Sequence, residues 1–188
     1  MNIMLKLKDK YQKEAIPQMM EKFGYKSAMA VPRLKKVVVN TGFGKEAVAK
    51  TGDELKKLQA NAVDSLTMIC GQKAVLTHAK KAISTFKLRQ GLPIGAMVTM
   101  RGKRMHDFLE RVVNMVLPRS RDFRGIDPKS IDKQGNLTFA IKEHIAFPEI
   151  SQEKSRQIFS LEITVATNAK NKEEGLTLLK LIGFPIKA

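Results

Sequence analysis

No aspartate or glutamate occurs between Asp64 and Asp107, although the rest of the chain mixes both charges. The basic residues inside this acid-free segment are Lys73, Lys80, Lys81, Lys87, Arg89, Arg101, Lys103 and Arg104. A solvated surface usually mixes both signs, because unmixed charge repels itself. A surface that meets phosphate gains instead from the counterions that each Lys or Arg contact releases. The segment therefore favours a nucleic-acid contact over a plain solvated surface, and we expect one sheet face and one loop tip to share its charge.

The charge of the whole chain indicates the same class of partner. The 188 residues include 34 Lys and Arg against 18 Asp and Glu, a net charge of +16 for which nucleic acid is the default partner. A single cysteine, Cys70, excludes an intramolecular disulfide and indicates a reducing cytoplasm. The N-terminus alternates apolar and basic residues too quickly for a signal peptide, and no window is apolar enough to span a bilayer. We therefore expect a cytoplasmic protein without a membrane partner.

Strand-like and helix-like patterns follow one another along the chain. Apolar and β-branched runs bounded by glycine or proline predict strands, and apolar residues at three- and four-residue spacing predict helices. The predicted strands are 31–40, 74–77, 96–101, 137–141 and 161–167. The predicted helices are a stretch within 1–25 that Pro17 interrupts, 51–70, 105–116 and 171–182.

Local signals set the bounds of these elements. Thr51 and Glu54 form a capping-box pair at the start of one helix, and Gly71 is expected to end it. Pro118 is expected to stop the helix over 105–116, ahead of a long loop. No repeat, low-complexity tract or linker divides the chain. The pattern therefore predicts one α+β domain over residues 1–188, with a sheet covered by helices on one face.

The type of nucleic acid follows from what the segment lacks. Phe86 is its one aromatic residue and the chain has no tryptophan, so a stacking platform for single strands is poorly supplied. No zinc-finger spacing and no convincing recognition helix occurs. Folded RNA, recognised through its shape, phosphates and 2′-OH groups, fits better than duplex DNA read at base edges.

The sequence offers no residue pattern that supports an enzymatic or a metal-dependent function. Gly42 and Gly44 follow a predicted strand, but Glu46 stands where a phosphate-binding loop needs Ser or Thr, so they are interpreted as turn glycines. The three histidines and one cysteine have no metal-site spacing, and no carboxylate pair suggests acid–base catalysis. We therefore expect no enzyme, no metal and no cofactor.

Longer motifs in a fixed order cover nearly the whole chain. They are PRLKKVVVN at 32–40, GQKAVLT at 71–77, FKLRQGLPIG at 86–95, VTMRG at 98–102, LPRSRDFRG at 117–125 and FPEI at 147–150. This series resembles the ribosomal protein L5 family of the bacterial large subunit. The resemblance implies an antiparallel sheet backed by helices, with a concave, helix-free face toward RNA. The implied partners are 5S rRNA, 23S rRNA, the peptidyl-site (P-site) tRNA, other large-subunit proteins and a small-subunit head protein.

The resemblance also assigns residues to these contacts. For 5S rRNA it implies Arg33, Asn40, Thr41, Gln72, Lys73, Thr77, Thr99 and Arg101. For a loop that reaches toward tRNA it implies His78, Lys80, Lys81, Phe86 and Lys87. For the subunit bridge it implies Arg121, Asp122, Phe123 and Arg124. The amides and hydroxyls suit base edges and 2′-OH groups, because they need no charged partner.

Two other functions stay open at this point. A generic basic nucleic-acid chaperone would bind many RNAs alike, and replacing Asn40, Gln72 or Thr99 would hardly affect it. An RNA-processing enzyme would show turnover in a cleavage assay. A non-catalytic ribosomal RNA-binding protein is the hypothesis that the acid-free segment and the motif series favour together.

Overall fold

A computed structural model describes residues 7–121, 123–150 and 158–187 of the chain. Its strands are β1 (Leu34–Gly42), β2 (Val75–His78), β3 (Pro93–Met100), β4 (Leu137–Ile141) and β5 (Leu161–Thr167). They form one antiparallel sheet in the order β2-β3-β1-β5-β4. The predicted α+β class is therefore confirmed, and each of the five predicted strands is present.

The helices lie before, between and after the strands along the chain. They are α1 (Leu7–Lys10), α2 (Ile16–Phe23), α3 (Gly44–Ala49), α4 (Gly52–Cys70), α5 (Gly102–Arg111), α6 (Leu117–Arg119) and α7 (Lys172–Ile182). A π-helical turn, Tyr11–Ala15, joins α1 to α2, and a second one, Val112–Val116, joins α5 to α6. No helix in the described ranges is both long and apolar enough to cross a membrane.

Alternation of side chains along the strands determines which face is buried. In β1, Val37, Val39 and Thr41 are buried, whereas Val38 and Asn40 are only partly covered. Strands β4 and β5 alternate in the same way, with Leu161, Ile163 and Val165 of β5 inside as the sequence predicts. Because side chains point to opposite faces with a period of two, each of these three strands presents one face to the core.

Contacts within the chain divide it into two compact units. Unit 1 comprises Met1–Val37, Arg101–Phe139 and Thr164–Ala188, and unit 2 comprises Val38–Met100 and Ala140–Ile163. In unit 1, α1 packs against α5 and α7, and α2 also packs against α7. In unit 2, α4 packs against β3 and β2. The single domain over 1–188 stays a prediction.

Helix α4 carries the core of unit 2. Its buried residues, Leu58, Ala62, Leu66 and Ile69, recur at three- and four-residue spacing, and Cys70 is buried beside them. Gly71 ends the helix in the left-handed conformation, with φ of 64°. Thr51 occupies the N-cap position, but its side chain makes no capping hydrogen bond, so the predicted capping box is wrong. The helix is therefore held by its apolar face rather than by its cap.

Prolines do not end the helices where the sequence predicts. Pro118 lies inside the last helical turn, α6, and Pro17 lies in the first turn of α2. In both places a five-residue π-helical turn ends two residues before the proline. Proline lacks an N–H and its ring crowds the carbonyl four residues earlier, so a widened turn lets the helix pass it.

Strand β3 begins earlier than predicted, at Pro93 rather than Ala96. Proline is tolerated as the first residue of a strand, where a missing N–H costs little. Gly95 lies inside the strand rather than in a turn. Glycine is required at this position because a β-carbon would meet the Thr41 carbonyl oxygen at 2.6 Å. Helix α3 was not predicted, since the six residues from Gly44 carry too short a pattern to detect.

Candidate RNA-binding surface

Strands β1, β2 and β3 leave one side-chain layer outside the core of unit 2. We call this layer the open face; its residues are Val38, Asn40, Val75, Thr77, Met97 and Thr99. The register of β2 and β3 pairs Val75 with Met97 and Thr77 with Gly95, and directly paired residues of antiparallel strands point to the same face. Val75 is 65% exposed, which places an apolar side chain in solvent at this face.

The open face itself carries no basic side chain among its six described residues. This differs from the expectation that a sheet face would share the charge of the acid-free segment. The basic residues of the acid-free segment precede, follow or connect the strands instead: Lys73 precedes β2, and Arg101 follows β3. Two further lysines, Lys35 and Lys36, are exposed within β1, just before Val38. Neutral polar and apolar groups therefore form the surface, and lysines and arginines border it along the chain.

Two carboxamides each donate one hydrogen bond, and that of Asn40 is long. Asn40 Nδ2 donates to Glu162 Oε2 over 3.5 Å, and Gln72 Nε2 donates to the backbone oxygen of Thr99 over 3.2 Å. Both side chains are half-buried. Glu162 is exposed on β5 and was not among the predicted site residues. Its outward orientation follows from the alternation of β5, but its contact with Asn40 depends on strand order, which the sequence does not reveal.

The predicted threonine contacts have different surroundings. Thr77 and Thr99 are half-buried on the open face. Thr41 is only 2% exposed, and its hydroxyl donates to the backbone oxygen of Ser160 over 2.9 Å. The Thr41 side chain therefore belongs to the core, because it points to the opposite face from its neighbour Asn40.

The two predicted arginine contacts belong to unit 1. Arg33 is exposed, and its backbone N–H donates to the side-chain oxygen of Asn168, which fixes the chain just before β1. Burial raises the pKa of the Tyr11 phenol, and the positive charge of Arg33 nearby partly opposes this rise. Arg101 is exposed at the N-cap position of α5 and makes no side-chain capping bond. Both guanidinium groups therefore lie at exposed positions.

Residues 79–92 form an extended basic arm between β2 and β3. Backbone hydrogen bonds run across it, from Ala79 N–H to Leu92 oxygen at 2.8 Å and in both directions between Ile83 and Leu88 at 3.0 Å. Within this fully described stretch Ala79 is the one buried side chain. The arm is therefore shaped by its backbone, and apart from Ala79 its side chains do not contribute to the core.

The side chains of the basic arm face solvent. Lys80, Lys81 and Lys87 are exposed, and Phe86 near the tip is 66% exposed. His78, also exposed, ends β2 just before the arm. Lys87 has a φ of 53°, a left-handed conformation that costs a lysine more than a glycine. Among the described residues, no basic side chain of the arm forms an ion pair with a carboxylate.

The predicted bridge residues lie in the loop that follows α6, in unit 1. Arg121 and Arg124 are exposed and Phe123 is half-buried, whereas Asp122 lies outside the described residues. The end of this loop is anchored, because the Ile126 N–H donates to the Pro185 oxygen at 2.8 Å and the Ile126 carbonyl oxygen accepts from the Lys187 N–H at 2.9 Å. The loop therefore presents its two arginines from a fixed base.

Comparison with known proteins adds a second line of evidence. The family model described as Ribosomal protein L5 matches residues 27–89, and the model described as the ribosomal L5P family C-terminus matches residues 93–186. Together the two matches cover most of the chain, including β1, the basic arm, the predicted bridge loop and α7.

Curated relatives are similar over nearly the full length. Large ribosomal subunit protein uL5 of Thermoanaerobacter sp. (strain X514) is 49% identical over 182 residues, which cover 97% of this chain and 98% of the relative. The protein of the same name from Alkaliphilus oremlandii is 50% identical over 182 residues, with the same coverage. That of Desulfatibacillum aliphaticivorans is 50% identical over 181 residues, covering 96% and 98%.

Proposed function

The chain belongs to the ribosomal protein L5 family, structural and non-catalytic components of the large ribosomal subunit, and from this premise we propose that it binds 5S rRNA through the open face. The observation that carries the proposal is the combination of oriented neutral amides with cations that border them along the chain and make no ion pair with any carboxylate in the described part of the chain. Neutral groups discriminate between RNA partners, whereas cations provide affinity for phosphate. The same surface supports contact with 23S rRNA.

The basic arm supports a second contact, with the tRNA in the peptidyl site. Its lysines make no ion pair with a described carboxylate, so they can contact a phosphate backbone without losing an existing ion pair. Phe86 is exposed at the tip, where an aromatic ring can pack on a base or a sugar. We place Lys80, Lys81, Lys87 and His78 beside Phe86 in this contact.

The bridge to a small-subunit head protein is assigned to the loop after α6. Arg121 and Arg124 are exposed there, and the backbone hydrogen bonds at Ile126 fix the end of the loop. Exposed arginines beside a half-buried aromatic side chain, Phe123, are typical of protein interfaces. Other large-subunit proteins are expected neighbours of the remaining surface.

Binding of the full chain to 5S rRNA, measured by gel mobility shift against an unrelated folded RNA of equal length, tests the central proposal. We expect a clear preference for 5S rRNA. Replacing Asn40 with alanine should weaken 5S binding about threefold to tenfold, the typical effect of one neutral hydrogen bond. Asn61→Ala, which removes an exposed amide from α4, is the matched control and should bind as the wild type does.

Equal binding to both RNAs would contradict the proposal and favour a generic nucleic-acid chaperone. The same conclusion follows if Asn40→Ala binds as tightly as the wild type. Cleavage of either RNA during incubation would favour an RNA-processing enzyme instead.

A further inference from the structure

The orientation of the two carboxamides is fixed by the chemistry of their partners. Glu162 Oε2 belongs to an ionised carboxylate and Thr99 oxygen to a backbone carbonyl, and neither can donate a hydrogen bond. The NH₂ group of each amide must therefore be the end that faces its partner. For Asn40 this excludes the flipped arrangement, in which two oxygen atoms would meet.

The amide oxygens are the ends left for a ligand. Among the described residues, neither Asn40 Oδ1 nor Gln72 Oε1 has a hydrogen-bond partner. An oxygen of this kind accepts from a ribose 2′-OH, a base amino group or a ring N–H, whereas phosphate oxygens can only accept. The pair therefore discriminates among the groups that a folded RNA presents, in favour of its sugars and bases.

We propose that Glu162 is a positioning residue for RNA recognition: its carboxylate holds the Asn40 carboxamide with Oδ1 presented to a donor group of the RNA. The inference rests on the proposed function, because it requires that RNA meet the open face. Glu162 is exposed and makes no ion pair with a described basic side chain, so the Asn40 amide is its one described partner.

Electrostatics alone predicts the opposite effect for this residue. A carboxylate beside a polyanion repels it, so neutralising Glu162 should by itself strengthen RNA binding. A positioning role predicts weaker binding, because a glutamine at this position can donate as well as accept. The Asn40 amide is then free to flip and to present its NH₂ group instead of its oxygen. The sign of the change in affinity therefore separates the two roles.

The experiment compares Glu162→Gln with the wild type in binding to 5S rRNA across a salt titration. We expect about threefold to tenfold weaker binding at every salt concentration, since one neutral hydrogen bond is lost and no phosphate contact changes. Glu143→Gln is the matched control: it removes an exposed carboxylate of unit 2 that, within the described residues, makes no hydrogen bond with either amide, and its affinity should be equal or slightly higher.

A double variant completes the test. In an Asn40→Ala background, Glu162→Gln should no longer weaken binding, because there is no amide left to orient. Unchanged melting temperatures show that the variants remain folded. If the wild type prefers 5S rRNA but Glu162→Gln binds as tightly or more tightly, the positioning role is overturned and the proposed function stands. If the wild type shows no preference for 5S rRNA, both fall.

Discussion

Gly175 of α7 and Gly135 lie in direct backbone contact within unit 1. A β-carbon at Gly175 would come within 2.5 Å of the Gly135 carbonyl oxygen, and Gly135 itself adopts a φ of 76°. We expect Gly175→Ala to lower the free energy of unfolding by about 1–3 kcal/mol, although alanine favours helix by about 1 kcal/mol. Urea denaturation measures the change.

Gly42 provides the matched control for this substitution. A β-carbon there has no neighbour within 4 Å, and the residue does not require a positive φ. Gly42→Ala should therefore leave the free energy of unfolding within about 0.5 kcal/mol of the wild type. A Gly175→Ala protein as stable as Gly42→Ala would show that the two backbones can separate at little cost.

His144 links protonation to the stability of unit 2. Its ring is fully buried, stacks on Phe159 at 3.9 Å, and accepts at Nδ1 from the Phe159 N–H over 3.3 Å. Burial lowers the pKa of His144 below its usual 6.5. The unfolded chain therefore binds the proton more tightly, and the stability that neutral His144 provides is lost as the pH falls below about 6.5.

The variant His144→Asn keeps an acceptor oxygen near the position of Nδ1 but does not titrate. We expect its free energy of unfolding to fall less than that of the wild type between pH 7 and pH 5. The pKa of His106 is lowered by burial and, to a smaller extent, by the charge of Lys8. Because His106 is present in both proteins, its contribution to the pH dependence cancels in the comparison. Parallel pH profiles for the two proteins would contradict the prediction.

At the scale of elements, substitutions in the basic arm are expected to affect tRNA binding without affecting stability. Lys80 and Lys81 are exposed, so replacing both with alanine should change the free energy of unfolding by less than about 0.5 kcal/mol. Ribosomes assembled with this variant should bind peptidyl-site tRNA more weakly, as filter binding would show. Lys57→Ala, an exposed lysine on α4, is the control for loss of charge alone.

Equal losses of tRNA binding in the arm variant and in Lys57→Ala would indicate a general charge effect. A lower melting temperature of the arm variant would also contradict the prediction, since it would give the arm a structural role. Binding of the arm variant to 5S rRNA can also be compared with that of the wild type, because the arm lies beyond the strand ends and outside the open face.

At the scale of the whole molecule, a net charge of +16 predicts strong salt dependence. About three to six phosphate contacts would lower the association constant for 5S rRNA roughly 20-fold to 1000-fold between 50 and 200 mM salt. A mobility-shift titration measures this slope. Affinity that is independent of salt would show that the cations do not meet phosphate.

Sequence patterns predicted the elements well where each signal was local. The alternation in β5 and the apolar face of α4 follow from side-chain period alone, and both are confirmed. The start of β3 at Pro93 was missed, because Gly95 reads as a turn signal until the Thr41 backbone beside it is known. The continuation of the helices past Pro17 and Pro118 is not predicted for a similar reason, since a π-helical turn leaves no local signal in the sequence.

The candidate site was predictable only in part. The acid-free segment identifies the cations, because charge is visible in the sequence. The burial of Thr41 and the contact of Asn40 with Glu162 depend on which strands are neighbours. Residues separated by more than one hundred positions meet there, and no local pattern encodes that pairing.

The basic arm bonds to itself through its backbone and contributes a single small buried side chain, Ala79. A screen that ranks variants by heat resistance or expression level would therefore pass nearly every substitution in it. Harmful changes in this stretch should give proteins that purify normally and fail only when translation is measured. Assays of ribosome performance, not of folding, are the ones that can detect them.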